Sequence, residues 1–347
     1  MKLATATALD TTPLLHMLER TFDPREPSGP GTHGVPPELW ERALLGPLRE
    51  FLSRPGKELR ARLVELGFVL GGGAPSDMPS ELPWLVELIH AGSLIVDDIE
   101  DDSEQRRGGP TLHRRYGLPV ALNAGNWLYF WPQLLLSRMN LPPLARLEAH
   151  ERITDCMLRC HEGQALDLTV RVTDLDRADV AAVVRTLTTL KTGRLVGLAT
   201  ALGAIAALAT SRRTAALARF GSEVGVGLQM LDDLSGALNP ARYDKALEDL
   251  RLGRATWVWA LLAESLDETA YAQLLQKLRS FQHGDDDAAA ALLGTTRFRL
   301  GMAGVRRVRL HFEQAVTALE SAIEPGDWSD TVRSELGWLE RQFMGVS

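Results

Sequence analysis

The 347-residue chain carries 45 Asp and Glu against 38 Lys and Arg, a formal charge of -7, and 45% of its residues are hydrophobic. That length and apolar content allow a large buried core, while the acidic balance argues against a nucleic-acid partner, whose phosphate backbone needs a basic surface. The only cysteines, Cys156 and Cys160, stand i, i+4 just before His161. A zinc site wants four ligands, so this spacing reads as helix packing, and such thiol economy suits a reducing cytoplasm.

The opening Met1-Lys2-Leu3-Ala4-Thr5 has neither the basic start nor the long apolar core of a secretory signal. Pro24, Pro27, Pro30, Pro36 and Pro37, with interspersed glycines, predict a flexible Pro/Gly-rich arm over residues 1–36, packed helices starting near Pro37. From there apolar residues recur every three or four positions, as in Leu39, Leu44, Leu45, Leu48, Phe51 and Leu52, then Leu85, Leu88, Ile89, Leu94 and Ile95. Breaks fall at Gly71-Gly72-Gly73, Gly108-Gly109-Pro110, Leu141-Pro142-Pro143 and Asn239-Pro240, Gly284-Asp285-Asp286-Asp287 marks a surface turn, and a last helix is expected through Trp338 toward Phe343. Strand-like alternation is scarce and no repeat or long linker interrupts residues 37–347, so the chain is expected to be all-α, a single helical domain. The stretch Leu195 to Thr210 comes nearest to membrane-spanning length, but Gly197 and Gly203 interrupt it and it reads as a core helix, so no stable membrane anchor is expected.

Two acidic clusters interrupt the apolar pattern. After Leu94-Ile95-Val96 comes Asp97-Asp98-Ile99-Glu100-Asp101-Asp102-Ser103-Glu104, then Gln105-Arg106-Arg107-Gly108. Asp97 and Asp101 share a helix face with Asp98 beside them, and carboxylates at the C-terminal part of a helix oppose its dipole. A solvated helix end is the plainer reading. Magnesium resolves both the crowding and the dipole, since it takes one or two carboxylates together with substrate phosphates, and the adjacent arginines suit bidentate phosphate contact. The second cluster, Asp232-Asp233, lies inside an apolar helical run with Gln229 on the same face, and a buried acid pair again needs a counter-ion. Lys191-Thr192-Gly193 is a polar interruption that a snorkelling lysine would explain by itself. Lys57 and Arg60 stand three apart at a predicted helix start, where phosphate is attracted.

In order along the chain, these landmarks resemble the trans-polyprenyl diphosphate synthases, especially their geranylgeranyl diphosphate synthase branch. The resemblance rests on Pro55-Gly56-Lys57-Glu58-Leu59-Arg60, His90, Asp97-Asp98-Ile99-Glu100-Asp101, Arg106-Arg107-Gly108, Gly163-Gln164-Ala165-Leu166-Asp167-Leu168, Lys191-Thr192-Gly193, Gln229 with Asp232-Asp233, and Glu248-Asp249-Leu250 before Gly253-Arg254, covering residues from about 40 to about 260. It implies a helical bundle around a deep central cavity, in a homodimer, that joins isopentenyl diphosphate to an allylic prenyl diphosphate. Three magnesium ions would be held by Asp97, Asp98 and Asp101 on one side and by Asp232 and Asp233 on the other. By the same resemblance Arg106, Lys191, Gln229 and Lys245 would touch the allylic diphosphate, Lys57, Arg60, His90 and Arg107 the isopentenyl diphosphate, and Thr192 the reacting carbons. Gly92 and Ser93, one turn before the first aspartates, would line the growing chain, and Tyr129 and Phe130 would floor the pocket, giving a twenty-carbon product, with fifteen or twenty-five carbons as the alternatives.

The sequence departs from the family pattern where an Asp or Asn is usual, at Gly236, which puts one magnesium ion in doubt. Arg254 stands where lysine is common and Ala61 where proline is. Two other readings are a terpene cyclase, which would not need Lys57, Arg60 and Arg107, and a non-catalytic partner subunit, against which the retained Asp97, Asp98, Asp101, Arg106, Lys191 and Asp232 argue.

Overall fold

Apolar residues at helical spacing form helices wherever the Gly and Pro breaks allow. The computed structural model describes residues 13–21, 34–239 and 242–323, with Ser334, Gly337 and Trp338. In order, the helices are α1 (Pro13–Thr21), α2 (Pro37–Trp40), α3 (Gly46–Leu52), α4 (Leu59–Leu70), α5 (Trp84–Glu100), α6 (Leu112–Tyr116), α7 (Leu118–Arg138), α8 (Pro143–Thr169) and α9 (Arg177–Thr188). Then follow α10 (Arg194–Ala206), α11 (Ser211–Leu238), α12 (Tyr243–Leu252), α13 (Trp257–Ser265), α14 (Glu268–Gln282) and α15 (Asp286–Ala322). π-helical turns, Glu41–Leu45 and Thr189–Gly193, join α2 to α3 and α9 to α10. The protein is all-α; among the described residues the strands are the two-residue pair β1 (Gln105–Arg106) and β2 (Gly109–Pro110).

The helices group into two compact units, one within residues 1–62 and 78–150, the other within 63–77 and 151–347. In the first, α5 packs on α7 so closely that a Cβ at Gly92 would lie 2.8 Å from the Gly125 carbonyl oxygen. Leu85, Leu88, Leu128 and Ile95 fill the contact at 1% exposure or less. Helix α1 belongs here too, burying Leu15, Met17 and Leu18. That differs from the arm expected over residues 1–36: the apolar spacing within 13–21 is enough for one packed helix, and the remainder of the arm before Gly34 lies outside the described residues. The expected last helix toward Phe343 lies outside them as well, apart from Ser334, Gly337 and Trp338.

In the second unit α10, buried from Leu195 to Ile205, is sandwiched by close backbone approaches. A Cβ at Gly203 would sit 2.1 Å from the Val64 carbonyl oxygen of α4, and one at Gly221 of α11 would sit 2.7 Å from the Val196 carbonyl oxygen. The starts of α11, α14 and α15 are capped by Thr210, Asp267 and Asp285, whose side chains accept from the amides of Arg213, Ala270 and Ala288. Gly284, at φ +100°, supplies the left-handed turn before α15 that the Gly-Asp run predicts.

These glycines make a paired test by thermal and urea unfolding. Gly203→Ala forces α4 from α10 and should destabilise by about 2 to 3 kcal/mol. Gly294→Ala, where an added Cβ meets nothing within 4 Å, should stabilise α15 by about 0.5 to 1 kcal/mol.

Candidate active site

Nine buried residues of α5 hold that helix in place up to Asp98, so its acidic end is fixed rather than frayed. Asp98 is 1% exposed. Its Oδ1 accepts from Arg106 Nε at 2.7 Å, and Arg106 Nη2 lies 3.8 Å from Asp97 Oδ2. Asp98 Oδ2 is buried with no hydrogen-bond partner among the described residues. Burial pushes the Asp98 carboxyl above its ordinary value, with Arg106 opposing.

Arg106 is delivered by the β1–β2 hairpin, whose tight turn uses left-handed backbone at Arg107 (φ 50°) and Gly108 (φ 79°). Buried Arg54 clamps that hairpin. Its Nη1 donates to the Arg106 carbonyl at 2.7 Å, its Nη2 to the Pro110 carbonyl at 2.5 Å, and Glu50 balances its charge at 2.7 Å. Arg107 folds back so that its guanidinium lies 5.8 Å from the Phe51 ring centre and 3.5 Å from where a Gly56 Cβ would be.

A cationic group forms around His90 in the same unit. Burial first, then Arg60, Arg107 and Arg106, drive His90 well below its ordinary value, so the imidazole is neutral. Glu87, buried in α5, accepts from the Arg60 amide at 2.8 Å and the Ala61 amide at 3.3 Å, capping α4. Lys57 is exposed in the turn before α4, next to Glu58, which takes left-handed backbone at φ 49°. His113 on α6 sits with both ring nitrogens buried and without a hydrogen bond among the described residues, its Nε2 3.7 Å from Asp102 Oδ1.

In the second unit Lys191 and Thr192 ride the π-helical turn Thr189–Gly193, a local distortion that frequently accompanies function. Lys191 Nζ donates to Asp167 Oδ2 at 2.6 Å, with Arg254 Nη1 3.7 Å from the same oxygen. Thr192 Oγ1 donates to Gln229 Oε1 at 3.1 Å, and Gln229 Nε2 donates to Asp233 Oδ1 at 2.8 Å. The other Asp233 oxygen accepts from the Trp257 amide at 2.9 Å, at the start of α13. Asp232 instead faces Arg242, at 2.8 Å, and Lys245. Burial raises the Asp232 carboxyl, but Lys245 and Arg242 outweigh it and leave it below its ordinary value. Asp233 is pushed up to about 6 by burial. Asp249 is pushed up to about 7 by burial and by Asp233. Both line a cavity of about 30 Å³ with Thr256 and Thr296, room for about one or two waters. A Cβ at Gly236 would meet nothing within 4 Å among the described residues.

Among the described residues no three His, Cys, Asp or Glu side chains draw close enough to enclose a metal ion. Magnesium needs no such cage. The orphaned Asp98 Oδ2, beside Asp97 at the end of α5, is a hard oxygen donor with an unmet demand for a cation, and the donor set fits that metal.

Of the residues expected to measure the product, Gly92 faces the α7 backbone, and Ser93 Oγ donates to the His90 carbonyl at 2.8 Å. Tyr129 is buried with its ring edge 3.3 Å from a Gly92 Cβ. Phe130 is a correction. Consecutive helical residues diverge by about 100°, so burying Tyr129 turns Phe130 outward, 72% exposed, and it cannot floor a pocket within this chain. Arg54, Glu87, His113, Asp167 and Arg242 emerge as partners that the sequence reading gave no role. A lone acid in the apolar run of α5 was the available signal for Glu87; Arg54 with the Arg106 carbonyl and Lys191 with Asp167 join residues far apart along the chain, whereas Arg54 with Glu50, His113 with Asp102 and Arg242 with Asp232 lie within eleven residues.

The sequence profile of the Polyprenyl synthetase family matches residues 41–293. Geranylgeranyl pyrophosphate synthase of Aspergillus flavus is 34% identical over 164 residues, 47% of this chain and 44% of that one. A geranylgeranyl pyrophosphate synthase of Aspergillus fumigatus is 37% identical over 128 residues, 37% of this chain and 34% of that one. The match therefore spans less than half the length of these relatives. Among solved structures, geranylgeranyl pyrophosphate synthetase from Pyrococcus horikoshii superposes with a TM-score of 0.72 at 23% identity, covering 89% of this chain and 94% of that one. Geranylgeranyl pyrophosphate synthase from Corynebacterium glutamicum, complexed with isoprenyl diphosphate and magnesium, gives a TM-score of 0.73 at 21% identity over 95% of each chain. At these identities the likeness is one of fold.

The raised Asp249 carboxyl carries a pH signature. Its contribution to stability is fully present below the unfolded value of 3.8 and is lost as pH rises through about 7. Asp249→Asn should therefore raise the unfolding temperature at pH 8, by the equivalent of a few kcal/mol, and leave it little changed at pH 4.

Proposed function

We propose that this chain, which belongs to the polyprenyl synthetase family, is a magnesium-dependent prenyltransferase that joins isopentenyl diphosphate to an allylic prenyl diphosphate and releases geranylgeranyl diphosphate. The observation that carries this reading is the buried Asp98, unsatisfied at Oδ2 and paired with Arg106 on a hairpin clamped by Arg54. That arrangement is suited to a cation and an anionic ligand bound together.

Asp97, Asp98 and Asp101 would hold magnesium in one unit and Asp232 in the other, where Asp233, expected beside it as a ligand, already accepts a protein hydrogen bond on each oxygen. When bound, the metal neutralises charge that develops on the departing diphosphate. Arg106, Lys191, Gln229 and Lys245 hold that diphosphate. Lys191 and Lys245 do so by leaving Asp167 and Asp232, their partners without ligand. Lys57, Arg60 and Arg107 hold isopentenyl diphosphate, with neutral His90 contributing a hydrogen bond rather than charge. The allylic carbon–oxygen bond breaks with its electron pair going to diphosphate. The double bond of isopentenyl diphosphate attacks the cation, and the proton leaves to the released diphosphate. Thr192, held by Gln229, lies beside the reacting carbons in this reading.

Free Cys156 and Cys160 accord with a cytoplasmic location. Exposed Leu118, Leu122, Phe130 and Leu134 on α7 accord with a homodimer. A cyclase would act on one diphosphate and leave the cations around His90 without a ligand.

The test is product formation from isopentenyl diphosphate with dimethylallyl, geranyl or farnesyl diphosphate, read by mass after dephosphorylation, with parallel samples omitting isopentenyl diphosphate. A longer linear alcohol that needs both substrates is expected. A cyclic hydrocarbon from the allylic substrate alone, or no turnover, would overturn the reading. Asp97→Ala should abolish the product without changing helical content by circular dichroism. Gly236→Asp places a carboxylate in open space beside Asp232 and should lower the magnesium concentration for half-maximal rate by about tenfold.

A further inference from the structure

Helix α15 is amphipathic twice over. Its inner face repeats Leu292, Thr296, Leu300, Gly304, Val308 and Phe312 every four residues, all buried in the second unit. On the outer face Phe298, Met302 and Val305 are 85%, 74% and 44% exposed. On the 3.6-residue period those three share one stripe with Arg309, while Arg299 and Arg306 run along one flank and Arg297 along the other.

Charge on this helix runs against the whole chain. Five arginines and no Asp or Glu lie between Asp287 and Glu313, in a protein of formal charge -7. Arg307 is engaged with Glu264 at 3.3 Å, and Arg297 lies over the Tyr243 ring at 5.1 Å. Arg299 lies 5.8 Å over the ring of its neighbour Phe298, and Arg306 and Arg309 are exposed without a partner among the described residues.

Large apolar side chains flanked by arginines are the pattern of a helix lying in the plane of an anionic membrane, where the stripe enters the acyl boundary and guanidiniums meet lipid phosphates. A second copy docked about a two-fold axis on this face would set arginines against arginines. A nucleic acid would engage the arginines but press its phosphates against the Phe298–Met302–Val305 stripe. An exposed single-helix ridge also offers no groove for an extended peptide. Among the described residues no helix is long and apolar enough to cross a membrane, so the contact is peripheral. We propose that the outer face of α15 docks the chain reversibly on an anionic lipid bilayer.

The test is flotation of the full chain with vesicles of phosphatidylcholine alone and of phosphatidylcholine with phosphatidylglycerol, at low and high salt. Binding to the anionic vesicles and release by salt are expected. Arg306→Gln combined with Arg309→Gln should weaken binding by about fivefold for each arginine. Phe298→Ser combined with Met302→Ser should weaken it as well, and both double variants should keep the circular dichroism and the vesicle-free activity of the parent. Absence of flotation, equal flotation with neutral vesicles, or unweakened binding of both double variants would overturn the proposal. So would loss of a dimer in the variants without any vesicle binding, which would give the face to a second copy.

Discussion

Carboxylates gathered at the C-terminal end of α5 face the negative end of that helix's dipole and are partly out of water. Much of the first unit is arranged to answer that charge. Asp98 requires Arg106, Arg106 requires the hairpin that carries it, and the hairpin requires Arg54, whose own buried charge requires Glu50. Each link is a buried or half-buried ion, so losing one partner would leave the next uncompensated. This series of ion pairs ends on an oxygen, Asp98 Oδ2, that no donor among the described residues reaches. A buried polar atom left open in an otherwise satisfied network is where a ligand belongs.

The second unit answers its acids differently. Asp233 is absorbed into the protein, capping α13 through the Trp257 amide and ordering Gln229, which orders Thr192. Asp232 stays outward and is shared by Arg242 and Lys245. Lys191 is likewise held by Asp167. An anion at these lysines would compete with Asp167 and Asp232, which keep Arg254 and Arg242 as partners.

Much of this was legible along the chain. The helical period of apolar residues and the Gly/Pro breaks are local features, and local propensity acts within a few residues. The acidic and basic landmarks were legible for the same reason, being contiguous runs. The segment 13–21 was hidden by its Pro-rich surroundings, although it carries its own helical spacing. Phe130 was misjudged because an aromatic run does not say which face of its helix is buried; packing of α5 on α7 through Gly92 and Gly125 decides that.

By itself the sequence determined an all-helical chain, the order of its chemical landmarks and the missing side chain at Gly236, since these depend on residue type and spacing. Only the tertiary structure decided that Arg54 holds the Arg106 hairpin, that His90 is neutral among guanidiniums and that Asp233 spends both oxygens on the protein. It alone set the arginines and apolar stripe of α15 outward. Pairing across tens of residues, burial and the electrostatic field at a side chain exist only once the helices have packed, which is why no local pattern could announce them.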